Sequence, residues 1–134
     1  MKWVGIVVRT LVGAGFFFLG ITYFLPIMDM SAQMEAMPDS AKQYFGLMGG
    51  YLTVVKVLEI VGGAMLLTGL FVGLGITILT PICVNILLYD IYIMKQPFGG
   101  GMILTALCVV LIAAYWPHFR AAFAMRAMPC QCRG

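Results

Sequence analysis

The stretch YLTVVKVLEIVGGAMLLTGLF, from Tyr51 to Phe71, holds two formal charges, Lys56 and Glu59, in an otherwise apolar run. As a helix it is about 30 Å long, the thickness of a bilayer hydrocarbon core. The two charges are three positions apart, so they share one helix face. A lone charge at mid-bilayer costs roughly 2.5 to 3.5 kcal/mol even on lenient insertion scales, so Glu59 is expected to face protein rather than lipid.

The rest of the chain has the same character. Of its 134 residues, 63% are hydrophobic and 10% are charged, against roughly 25% charged in soluble domains. The mean hydropathy is +1.04, which excludes a water-soluble globular protein. Four apolar runs reach spanning length, at about 4–25, 51–71, 74–93 and 98–116. Short turns at Val72 to Gly75 and at Lys95-Gln96-Pro97 would make consecutive later spans antiparallel neighbours. The expected fold is therefore all-α, a single-domain integral membrane four-helix bundle over 1–134. Lys2 precedes the first run, but the run is about twice the length of a signal h-region and contains Arg9, so it reads as a retained helix.

Lys2, Arg9, Arg120, Arg126 and Arg133 flank the termini, while the first loop holds Asp29, Glu35 and Asp39 against Lys42. Positive-inside asymmetry then puts both termini in the cytoplasm and that loop outside, in a multi-pass protein of the cell inner (plasma) membrane. Trp3, Tyr23, Tyr51, Tyr92, Tyr115 and Trp116 fall near span ends, where amphipathic rings settle. The net charge of +3 needs no nucleic acid, because scattered juxtamembrane cations meet anionic headgroups.

In the first loop, Ser40 followed by Gln43 spells a capping box, so a short interfacial helix is expected there, with a bend near Gly49-Gly50. Met30, Met34 and Met37 recur at helical spacing and are candidate Cu(I) ligands. Methionine is also a common apolar filler on helix faces, and that is the preferred reading because no His or Cys lies nearby. Cys130 and Cys132 form a CxC pair in the tail, a minor metal or lipidation candidate without a second pair. His118 is a lone candidate ligand for haem or pigment. Cys83 and Cys108 read as small apolar residues inside spans.

Arg9, Lys56, Glu59, Asn85 and Asp90 are the intramembrane polar set. Counting from the outer ends places Lys56, Glu59, Asn85 and Asp90 in the outer half, and the long Arg9 side chain is expected to reach toward the Glu59 level from the cytoplasmic side. Two readings stand for this set. It holds helices together, with Arg9 and Asp90 snorkelling, or it forms a proton or quinone-headgroup site. Gly13, Gly20, Gly62, Gly63, Gly69 and Gly99 to Gly101 are expected to let helix backbones approach closely.

Arg9, Gly13 and Gly20, followed by Glu59, Gly62, Gly63 and Gly69, resemble the pattern of the DoxX family of small four-helix membrane proteins over nearly the whole chain. A basic residue often found in that family after the last glycine of helix one is replaced here by Tyr23 and Phe24. The resemblance implies membrane electron transfer, as in the small subunit of a thiosulfate:quinone oxidoreductase, or complexes that handle oxidative stress. It also implies that Arg9 and Glu59 form a paired site. The expected function is an accessory or structural subunit of a larger membrane redox or energy-converting complex, not catalytic on its own and with no cofactor held in the chain itself. Its expected partners are membrane lipids and other membrane subunits, with quinone or pigment contact. The alternatives are a small proton-coupled transporter using Glu59 and a small subunit of a quinone-linked oxidoreductase.

Overall fold

A computed structural model describes residues 2–25, 30–96 and 98–122. Among these residues every regular element is helical and no strand occurs. Helix α1 (Lys2–Phe24) is followed by the short α2 (Met30–Glu35) and the long α3 (Asp39–Thr68). Helix α4 (Val72–Leu88) runs directly into a π-helical turn (Tyr89–Ile93), and α5 (Gly100–Ala114) and α6 (Trp116–Ala122) complete the described chain. Among the described residues three segments are long and apolar enough to cross a membrane: α1, α3, and α4 with its π-helical turn.

The expected run 98–116 is shorter as a helix, because α5 has 15 residues and the backbone leaves helical geometry at Tyr115, with φ −105° and ψ 16°. Pro117 explains the break. It has no N–H to donate, and its ring would collide with the carbonyl four residues back, at Ala113.

Helix α1 packs against α3 and α5, α3 against α4, and α4 against α5. Val12 and Phe16 of α1, Leu66 of α3, Ile76, Leu79 and Ile82 of α4, and Leu111 of α5 form the buried centre. Glycines let α1 and α3 close on each other. A Cβ on Gly63 would lie 2.7 Å from the Phe17 nitrogen and 2.8 Å from the Gly13 oxygen, and one on Gly20 would lie 3.1 Å from the Lys56 oxygen. The backbones touch here, as expected of small residues between apolar helices. Gly62 instead makes room for the Leu79 side chain of α4, whose Cγ would lie 2.8 Å from an added Cβ.

Helix α3 starts earlier than the capping box predicts. Pro38 is the N-cap, and its carbonyl accepts from Ala41 and Lys42. Ser40 therefore lies inside the first turn, where its Oγ donates to the Ile93 oxygen at 3.4 Å instead of capping. The bend expected near Gly49-Gly50 is present. Gly49 has φ 40° and ψ −124°, values a glycine adopts without a Cβ penalty, so Asp39 to Met48 leaves the axis of the rest of α3. The next turn is displaced from its expected place at Val72 to Gly75. Gly69 ends α3 in left-handed geometry (φ 74°), its N–H bonded to the Met65 oxygen, and α4 begins at Val72. Gly73 and Gly75 are already helical.

Large apolar side chains cover the outside. Trp3, Val7, Leu11 and Phe18 of α1, Leu47, Val54 and Val61 of α3, Leu74 and Val84 of α4, and Ile103 and Val109 of α5 are all exposed. In each of the three long segments, no more than 28% of the most hydropathic stretch is buried inside the chain. Apolar surface this extensive is stable only against lipid or another apolar partner.

Candidate functional site

A cavity of about 330 Å³ lies between the first two-thirds of α3, α4 with its π-helical turn, and the start of α5. Lys56 and Glu59 of α3, Asn85 of α4, and Asp90 of the π-helical turn all line it. Four of the five intramembrane polar residues singled out from the sequence therefore meet at one place.

Glu59 is 2% exposed, the one buried charged residue among those described. Its Oε2 accepts from Lys56 Nζ at 2.8 Å, one turn earlier on the same helix. Lys56 is less enclosed, with 22% of its side chain exposed. The i, i+3 spacing closes this bond within α3 alone. On the opposite wall the Tyr44 hydroxyl donates to Asn85 Oδ1 at 3.2 Å. Tyr44 and Phe45 pack on the Tyr89 ring, with centroids 5.1 Å and 5.6 Å from it. The Tyr89 hydroxyl is buried and has no hydrogen-bond partner among the described residues.

Two backbone irregularities gather these groups. The bend at Gly49 carries Tyr44, Phe45 and Met48 across the cavity, and the π-helical turn, in which Met94 N–H bonds to the Tyr89 oxygen, turns Tyr89 and Asp90 toward it. Such π-helical turns recur at functional sites because the extra residue re-aims side chains.

Asp90 has a structural task. Its Oδ2 accepts from Gly101 N–H at 2.8 Å, so the carboxylate caps α5 from a neighbouring element instead of snorkelling to the headgroups. A Cβ on Gly99 or Gly101 would lie 2.5 Å or 2.7 Å from that oxygen, which is why glycine stands at both. Asp90→Ala is expected to lower stability by about 1 kcal/mol and Asp90→Asn by less, read from thermal unfolding in detergent. Equal loss in the two variants would contradict the cap.

Arg9 is elsewhere, and the expected pairing with Glu59 is not formed. Its guanidinium packs over Gly69 at the end of α3, where a Cβ would lie 2.8 Å from Nη1. A cation there meets the negative end of the helix dipole. Arg9 also lines a second cavity, of about 730 Å³, together with Lys2, Tyr115 and His118. The physical reason is depth: Arg9 sits two turns into α1 from the end that packs against the end of α3, and Glu59 has a nearer cation. The His118 ring lies edge-on to Tyr115, with centroids 6.1 Å apart.

Met34 is exposed and Met37 half-buried, while the Met30 side chain, Cys130 and Cys132 lie outside the described residues. Among the described residues no group of three His, Cys, Asp or Glu is placed to hold a metal ion. Tyr44 and Tyr89 were not singled out from the sequence. Their one signal was an aromatic residue beside a polar span end, a pattern shared with every belt residue.

Fold and cavity together define an all-helical chain compatible with three membrane crossings and carrying a buried ion pair beside an aromatic-walled cavity. No protein-family model, no curated protein and no solved structure matches it.

Proposed function

We propose that the chain is an accessory or structural subunit of a larger membrane complex for redox or energy conversion, not catalytic on its own, whose cavity receives a quinone headgroup or a lipid. In this reading α1, α3, α4 with its π-helical turn, and α5 form a four-helix bundle in the plasma membrane. Both termini are cytoplasmic, and Met30 to Met48 lies on the outer side, as the distribution of basic residues suggests. The DoxX-like pattern of Arg9, Gly13, Gly20, Glu59 and the later glycines supports the same assignment.

The observation that carries the proposal is the breadth of uncovered apolar surface, with at most 28% of each long hydropathic stretch buried by the chain itself. The cavity adds a ligand class. It lies at the lower end of the usual size for small-molecule sites, its walls are mainly apolar, and its polar groups are few: the Tyr89 hydroxyl, the Asp90 carboxylate, the Tyr44–Asn85 pair and the Lys56–Glu59 pair. A flat ring bearing oxygens suits walls of this kind.

Purification from native membranes in mild detergent, with mass spectrometry of what co-elutes, tests the proposal. Stoichiometric redox or energy-converting subunits are the expected result. Elution of the chain alone, or as a homodimer, rejects it. A second reading then stands, a small proton-coupled transporter, favoured by the burial of Glu59 at the cavity wall. In that case Glu59→Gln abolishes transport.

A further inference from the structure

Cys83 of α4 and Cys108 of α5 face each other with their Sγ atoms 2.7 Å apart. They are 1% and 4% exposed, deep in the core where α4 and α5 pack together. A disulfide needs its sulfurs at about 2.05 Å, so a small adjustment of two side chains joins them. A pair at this depth lies outside the reach of the charged thiols that keep cytosolic cysteines reduced.

The pair also has a neighbour. Ile86 lies one turn beyond Cys83 on α4, Leu104 lies one turn before Cys108 on α5, and both line the cavity. The thiols therefore sit one helical turn beneath its floor.

We infer that Cys83 and Cys108 are a dithiol that closes to an interhelical disulfide, with a quinone in the cavity as oxidant. The two S–H bonds break and one S–S bond forms. Two electrons and two protons pass to the carbonyl oxygens of the quinone, which leaves as the quinol. The pairing of the sulfurs stands on their own geometry, while the choice of oxidant rests on the quinone reading of the cavity.

The test uses the full chain in mild detergent, carrying Cys130→Ser and Cys132→Ser so that Cys83 and Cys108 are the remaining thiols. The reduced protein is mixed with a short-chain alkyl benzoquinone, denatured, treated with a maleimide and weighed intact. The expected result is two adducts before quinone and none after, a linked Cys83–Cys108 peptide, and quinol formation that Cys83→Ser abolishes. Persistence of both adducts overturns the inference. So does a mass gain of one quinone, which marks arylation of a thiol, or a disulfide that closes with a copper oxidant but not with the quinone. None of these readings needs a partner subunit, so failure here and failure of co-purification are separate results.

Discussion

Lys56→Met is expected to destabilise the folded chain by about 3 kcal/mol, more than Glu59→Gln does, although both remove the same ion pair. The difference lies in what each leaves behind. Without Lys56, a carboxylate that is 3% exposed stays in the core with its cation gone. Without the Glu59 charge, an ammonium that is 22% exposed remains, on a flexible stem that reaches toward the polar boundary. The double variant Lys56→Met with Glu59→Leu removes both charges and recovers most of the loss, because a buried pair is replaced by apolar groups of similar size. Thermal unfolding of the parent, Lys56→Met, Glu59→Leu and the double variant in one detergent closes the double-mutant cycle, with Glu59→Gln measured alongside. Equal losses in Lys56→Met and Glu59→Gln, or no recovery in the double, would show that the pair is not the buried unit described here.

Gly63→Ala should cost about 3 kcal/mol, the upper end for overpacking, because the added methyl meets backbone on the facing helix. Its nearest atoms are the Phe17 nitrogen at 2.7 Å, the Gly13 oxygen at 2.8 Å and the Phe17 Cα at 3.1 Å, none of which moves unless α1 moves. Gly20→Ala is milder, since its closest contact, at 2.5 Å, is the Ile60 Cγ1 atom of a side chain that can turn. Gly15 lies on the same helix as Gly13 and Gly20 with nothing within 4 Å, so Gly15→Ala should leave stability unchanged or raise it by up to about 1 kcal/mol through helix propensity. The ranking Gly63, then Gly20, then Gly15 is checked by unfolding each variant in the same detergent. A Gly63→Ala protein as stable as the parent would mean that α1 and α3 do not make this contact.

Helix content, the packing role of Gly13, Gly20 and Gly63, and the meeting of Lys56 with Glu59 were legible in the sequence, because each rests on local spacing or on hydropathy over one turn or more. Element ends were less so. Gly69 looked like one more packing glycine, yet its left-handed backbone is what ends α3, while the later glycines that suggested a turn lie inside α4. Ser40 and Gln43 matched a capping box, but Pro38 begins the helix first. The aromatic wall of the cavity was hidden for a different reason. Tyr44 and Tyr89 are far apart in the chain, and they meet because of the Gly49 bend and the π-helical turn, neither of which leaves a trace in hydrophobic periodicity. The pairing of Cys83 with Cys108 likewise depends on the register between α4 and α5, which turn length alone does not set. The direction of the Arg9 side chain was not legible either, because the end of α3 at Gly69 offers a cation a second place to settle.

The bond between Lys56 and Glu59 closes inside a single turn of one helix. No other segment has to arrive before the two charges cancel. As the nascent segment enters the lipid during synthesis, it presents a compact dipole instead of two separate ions, and the desolvation borne at that moment is correspondingly smaller. Neutralisation can therefore precede assembly. Docking of α4 and α5 is left to bury a carboxylate whose counter-charge is already in hand.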